Sequence, residues 1–228
     1  MATFSMVVMA LLLAFVHGGC EQKPEHRAAA VDKGLGREVI VAAGDSLTEG
    51  LGVDEEESYP AQLEKRLQTA GYNFRVINAG ASGETSSGLL SRLNWLLTLN
   101  PAIVIVETGA NDGLRGIDPS LTKSNIREII RRLKEKEIPI ILAGMRMFRN
   151  LGPEYANAFD RIYPELAKET GVLFLPFFLE GVATIPTLNN SDGIHPNTNG
   201  YGIMVNNLYP YVLQAIAMRE KQAQRPTP

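Results

Sequence analysis

The stretch Val39-Ile40-Val41-Ala42-Ala43-Gly44-Asp45-Ser46-Leu47-Thr48-Glu49-Gly50 decides the fold. Its first five residues are apolar with no alternation, so a strand over 39–43 is covered on both faces, as strands of parallel sheets are. Gly44 interrupts the run, and Asp45-Ser46 leads into residues that can begin a helix. A doubly covered strand that turns directly into a helix is the opening of an alternating α/β chain, because parallel strands need helical crossovers.

The same alternation continues outward. The spacing predicts helices over Tyr59–Ala70, Thr85–Leu99, Thr122–Glu137, Glu154–Thr170 and Asn197–Met218. Between them, Phe74–Asn78, Ile103–Glu107, Ile138–Ala143 and Val172–Leu175 read as strands rich in β-branched or aromatic residues. The expected fold class is α/β, a three-layer α/β/α sandwich around a five-stranded parallel sheet. Nothing between Arg37 and Met218 marks a second domain, so 37–218 is read as one domain and 219–228 as a polar tail.

Ahead of the domain, Met6 to Val16 is an apolar run followed by His17-Gly18-Gly19-Cys20. It is short for a bilayer span, which takes about 20 residues, and fits the core of an export signal over 1–20. Cys20 resembles a lipidation site and would then tether the protein to a membrane; the alternative is an ordinary secretory signal cut nearby. Residues 21–36 lack periodicity and read as a flexible tether. Exported, periplasmic or secreted, is the expected location.

Composition narrows the chemistry. With 228 residues, 45% hydrophobic, 21% charged and a net charge of -3, the chain suits a single medium-sized core and carries no basic cluster to attract nucleic acid. One cysteine excludes an intramolecular disulfide and a thiolate metal cluster. Of the three histidines, His17 and His26 precede the first strand, which leaves only His195 inside the domain and argues against a zinc or di-metal site. No cofactor is implied.

Ligands of open parallel sheets bind beyond the carboxyl ends of the strands, so the residues there matter most. After the first strand, Ser46 sits on a strand-to-helix turn that can hold its hydroxyl above the sheet and present its backbone N–H to an oxyanion; read alone, it is as well a capping serine. A phosphate loop is rejected because the lysine of that motif is missing. After the second strand, Gly80 and Gly83 supply either turn conformations or a backbone N–H for an anion. After the third, Asn111 can donate from its amide or serve its own turn. Asp112 reads as a structural partner of that loop. After the fifth comes Asp192-Gly193-Ile194-His195-Pro196-Asn197, where Pro196 is expected at the first helical position with His195 at the helix mouth and Asp192 folding back to one ring nitrogen.

Together these segments resemble the SGNH hydrolase family, also called GDSL hydrolases. Gly44-Asp45-Ser46-Leu47 matches the first block, Gly83 the second, Gly109-Ala110-Asn111-Asp112 the third, and Asp192-Gly193-Ile194-His195-Pro196 the fifth, all in family order. The chain is most similar to the bacterial group of thioesterase I, protease I, lysophospholipase and arylesterase. That resemblance implies a flavodoxin-like fold and a serine esterase acting on small-molecule carboxylic esters or thioesters. The expected roles are Ser46 as nucleophile, His195 as general base and then acid, and Asp192 fixing the imidazole tautomer. The Ser46 N–H, Gly83 N–H and Asn111 amide would form the oxyanion hole. A histidine base, ordinarily titrating at about 6.5, favours neutral to alkaline conditions.

Met147, Phe148, Phe177, Phe178, Leu179, Ile185 and Leu188 lie in two long segments expected to wall the site, and their character suits an acyl chain or aryl group. Core packing under a loop accounts for any one of them equally well. Two other functions fit the same fold: a carbohydrate acetylesterase, against which the apolar 176–188 segment argues, and a non-catalytic surface lipoprotein, against which the complete Ser46, Asp192 and His195 set argues.

Overall fold

A computed structural model describes residues 36–224. The expected export signal, Cys20, the tether up to residue 35 and the last four residues lie outside that span. Five parallel strands run β1 Glu38–Gly44, β2 Phe74–Gly80, β3 Ile103–Glu107, β4 Ile140–Ala143 and β5 Leu173–Leu175, in the spatial order β2-β1-β3-β4-β5. Nine helices lie among the described residues: α1 Ser46–Glu49, α2 Tyr59–Thr69, α3 Ser86–Ser91, α4 Leu93–Thr98, α5 Ala110–Leu114, α6 Pro119–Lys134, α7 Pro153–Asp160, α8 Ile162–Thr170 and α9 Thr198–Ala223. The expected three-layer α/β/α sandwich is the architecture found. Helices α2 and α9 pack together on one side, and α3, α6 and α8 form the other.

Every residue of β3 and β4 is buried, which is what their unbroken apolar runs require. In α6 the buried Ile126, Ile129, Ile130 and Leu133 recur at three- and four-residue spacing and form one stripe against the sheet. Each such side chain contributes roughly 1.5–3 kcal/mol on leaving water. The opposite face of α6 carries Arg127–Glu169 and Arg131–Glu128 ion pairs in solvent, where water screens them and they add little to stability.

Two expected helices are each divided in two, for different reasons. The segment expected as helix over 85–99 breaks at Arg92. Its guanidinium donates to the carbonyls of Gly44 (3.2 Å) and Ala79 (2.7 Å) and to Glu84, bracing the ends of β1 and β2. The segment over 154–170 breaks between α7 and α8 at Arg161. Pro164 would collide with the carbonyl of residue 160 in one continuous helix. At the other end of the chain, α9 runs on to Ala223, past the expected end at Met218.

Strand register places the site. Gly44 pairs with Gly80, and Ala43 with both Ala79 and Val106, so the segments that follow β1, β2 and β3 emerge side by side. Gly80 is required there: a Cβ on it would lie 2.1 Å from the Glu49 nitrogen.

Candidate active site

The turn after β1 is built from its own side chains. Asp45 caps α1 by accepting from the Leu47 N–H (3.0 Å), and Gly50, left-handed at φ 91°, closes the turn. Ser46 is thereby the first helical residue, and its N–H has no acceptor within the helix.

The floor beneath Ser46 is acidic and dry. Asp45 is 1% exposed and Glu107, the last residue of β3, is 0% exposed. Glu107 Oε2 accepts from the Asp45 N–H (3.1 Å) and the Thr48 hydroxyl (2.8 Å), and Thr48 lies 3.3 Å from the Tyr59 hydroxyl. The second oxygen of Asp45 accepts from Asn111 Nδ2 at 3.0 Å. Burial raises the Glu107 carboxyl well above the usual carboxylate range, and the adjacent Asp45 charge adds to it. Asp45 is raised too, again by burial. Burial likewise raises the Tyr59 phenol.

Opposite this floor, the loop before α9 brings in the imidazole. His195 Nε2 lies 2.9 Å from Ser46 Oγ, and His195 Nδ1 lies 2.7 Å from Asp192 Oδ2. Asp192 Oδ1 also accepts from the backbone N–H groups of Ile194 and His195, both at 3.0 Å. Those donors, the His195 N–H foremost, bring its carboxyl down to about 2. Gly193 adopts φ 75°, which lets the carboxylate fold back onto the ring. The loop is pinned at its base, where the Asn190 N–H donates to His195 O (2.8 Å) and Asn189 Nδ2 donates to the Val182 and Ile185 carbonyls (2.8 Å each).

Pro196 is not at the first helical position. Asn197 is the N-cap, its side chain accepting from the Asn199 and Gly200 N–H groups at 3.1 Å, and α9 begins at Thr198. An asparagine oxygen serves the free N–H groups of a first turn, which a proline cannot do. Pro196 therefore ends the loop, and His195 sits in irregular backbone ahead of the helix.

Gly83 and Asn111 lie in the segments that follow β2 and β3, the two strands paired on either side of β1. Gly83 has φ 75°, and its carbonyl accepts from Arg115 at 2.7 Å, which ties the second strand's loop to the end of α5. Asn111 Nδ2 carries two hydrogens, and the Asp45 bond uses one. Asp112 is buried and accepts from the Ser86 N–H (2.7 Å), Ser86 Oγ (2.5 Å) and Thr122 Oγ1 (3.1 Å), the structural role expected of it.

The residues expected to line the site divide. Phe178 is 0% exposed and packs edge-to-face on Tyr59, with ring centroids 5.2 Å apart, so it belongs to the core. Met147 is buried against Gly113. Phe178 has no surface to offer a substrate and Met147 almost none, and both correct the expectation. Phe177 lies half-buried under the Arg146 guanidinium, 4.9 Å from the ring centroid, and Leu179 and Leu188 pack partly on the core. Phe148 and Ile185 are exposed. A cleft of about 310 Å³ beside the His195 loop is lined by Thr184, Ile185, Asn189, Asn190, Ser191 and Gly193, a more polar wall than the composition of 176–188 suggested.

The sequence does not single out Glu107. Its one signal was an acid closing a β-branched run, where a surface strand end would explain it equally well. Among the described residues no group of His, Cys, Asp and Glu is arranged to hold a metal ion.

A serine hydroxyl on an imidazole, itself held by a carboxylate, at the carboxyl edge of a parallel α/β sheet, defines a serine hydrolase. Residues 42–203 match the model of the GDSL-like lipase/acylhydrolase family. The esterase TesA of Pseudomonas aeruginosa is 37% identical over 174 residues, 76% of this chain and 87% of that protein. The thioesterase 1/protease 1/lysophospholipase L1 of Escherichia coli (strain K12) is 41% identical over 172 residues, 75% of this chain and 78% of that protein. A crystal structure of TesA matches with a TM-score of 0.75 at 36% identity, covering 78% of this chain and 99% of the other. The chain belongs to the GDSL-like lipase/acylhydrolase family.

Proposed function

We propose that this serine hydrolase cleaves small carboxylic esters and thioesters through an acyl-enzyme on Ser46. The observation that carries the reading is the continuous line from Ser46 Oγ to His195 Nε2 (2.9 Å) and from His195 Nδ1 to Asp192 Oδ2 (2.7 Å). In this mechanism His195 takes the serine proton as Oγ attacks the carbonyl carbon, then returns it to the leaving alcohol or thiol. Asp192 stays ionised and holds the Nδ1–H tautomer; a carboxyl brought down to about 2 is suited to that role throughout the neutral range. The Ser46 N–H, the Gly83 N–H and the free Asn111 hydrogen receive the oxyanion, and each such donor is worth roughly 3–4 kcal/mol in the barrier. Water then attacks the acyl-enzyme carbonyl with His195 again as base, and the bond to Ser46 Oγ breaks as His195 returns the proton to Oγ, releasing the carboxylic acid.

Hydrolysis of a chain-length series of aryl esters by the purified protein tests the reading beside Ser46→Ala. The expected result is turnover by the parent and only background hydrolysis by the variant. Equal rates in the two would sink the mechanism. The run 6–16 and Cys20 support export and a lipid tether. The intact mass of the exported protein checks this, and an unmodified chain beginning elsewhere than Cys20 rules out the lipid.

A further inference from the structure

The carboxyl group of Glu107 presents a problem that conventional hydrogen bonding does not solve. Oε2 is served twice, by the Asp45 N–H and the Thr48 hydroxyl. Oε1 is buried and has no donor. Asp45, joined to Glu107 through its backbone N–H at 3.1 Å, brings a second buried carboxyl close by, and the two groups act on each other's charge. Two carboxylates are both acceptors, and placing both charges in a dry site is costly; one proton between them removes the conflict.

The location of that proton follows from the remaining donors. Asp45 has both oxygens occupied as acceptors, Oδ1 by the Leu47 N–H and Oδ2 by Asn111 Nδ2. Glu107 has an oxygen left over. The other titratable groups bearing on Glu107 are the phenols of Tyr59, Tyr163 and Tyr201, and none of these supplies a positive charge. His195 bears on Asp45 rather than on Glu107. Arg92 reaches the neighbouring Gly44 carbonyl but is paired with Glu84.

We infer that Glu107 is a positioning residue for the hydrolase reaction: as a neutral carboxylic acid it donates from Oε1 to Asp45, and so locks the carboxylate that orients Asn111 and caps the Ser46 turn. The pair then carries one negative charge rather than two. No proton moves during turnover. Glu107 acts two steps removed from the substrate, through Asp45 on Asn111, and through the Asp45 N–H on the backbone that leads into Ser46. The inference rests on the esterase reading for its kinetic consequence, and for the proton on the donorless buried Oε1 of Glu107 beside a second buried carboxyl whose oxygens are both already occupied.

Glu107→Gln and Glu107→Ala test it, each folded as judged by circular dichroism and assayed on one aryl ester beside the parent and Ser46→Ala. Gln retains an acceptor and replaces the O–H donor with N–H, so kcat should stay within about threefold of the parent. Ala removes both, and loosening the oxyanion donor should lower kcat roughly ten- to a hundredfold with KM little changed. Infrared difference spectra at neutral pH should show the carbonyl stretch of a protonated carboxylic acid in the parent and its loss in Glu107→Gln. A parent without that band overturns the proposal, as does a kcat for Glu107→Gln as low as that for Glu107→Ala. Should Glu107→Ala fail to fold, the band and the Gln variant still decide. Activity surviving in Ser46→Ala would instead defeat the esterase reading and leave the infrared result standing.

Discussion

Two carboxylates serve Ser46 from opposite sides, and they are held by contrasting means. Asp192 has a side chain 46% exposed, on a loop, and is fixed by two backbone N–H groups and a ring nitrogen within three residues of itself. Asp45 lies in the core, fixed by the Leu47 N–H of its own turn and by two residues at and just beyond the end of β3, Glu107 and Asn111. Local hydrogen bonds suffice for the first because water already stabilises its charge. The second has lost its water, so its charge must be answered by residues brought in from far along the chain. The exposed side is thus separable from folding, whereas the buried side is part of it.

Substitutions on the two sides should divide accordingly. The largest effect is expected from Asp192→Asn, which keeps an oxygen for the backbone donors and loses the preference for the Nδ1–H tautomer. It should lower kcat by as much as about 10⁴-fold with the thermal midpoint nearly unchanged, as measured by stopped assays beside calorimetry. Asn111→Ala should lower kcat by about 10²–10³-fold and, unlike the first, also lower the midpoint, because Asp45 then keeps a buried oxygen with no donor. An unchanged midpoint in Asn111→Ala would erase the contrast drawn between the two sides.

The smallest effect concerns acid. The folded Asp192 titrates near 2 and the unfolded one near about 3.9. Its contribution to stability is therefore complete above about pH 4 and is lost as pH falls towards 2. Being exposed, the group contributes little. Urea midpoints of parent and Asp192→Asn should diverge slightly at neutral pH and converge at the acid end.

The same contrast decides what could be read from the chain before its structure was known. The exposed constellation was legible because its parts are neighbours: Asp192 and His195 are three apart, and a single domain histidine leaves little choice of base. The sheet was legible because β1, β3 and β4 are unbroken apolar runs. The buried constellation was only half visible. Asn111 was found by its loop, but Asp45 and Glu107 gain their meaning from a strand register that pairs Ala43 with Val106, and register is not written in either segment. Arg92 reads as one more turn of helix because the carbonyls it braces lie on other strands. Phe178 reads as a pocket wall because nothing local distinguishes an aromatic that faces Tyr59 from one that faces solvent.

The hydrogen bond between Ser46 and His195 joins residues 149 positions apart. A chain growing from its amino terminus therefore carries its serine for most of its synthesis without a base to activate it. In the proposed mechanism the hydroxyl gains its reactivity only once the loop ahead of the last helix has folded and brought in the imidazole. On the proposed mechanism the topology acts as a safety catch: esters met by a nascent or unfolded chain go uncut, and reactivity arrives in one step with completion of the fold.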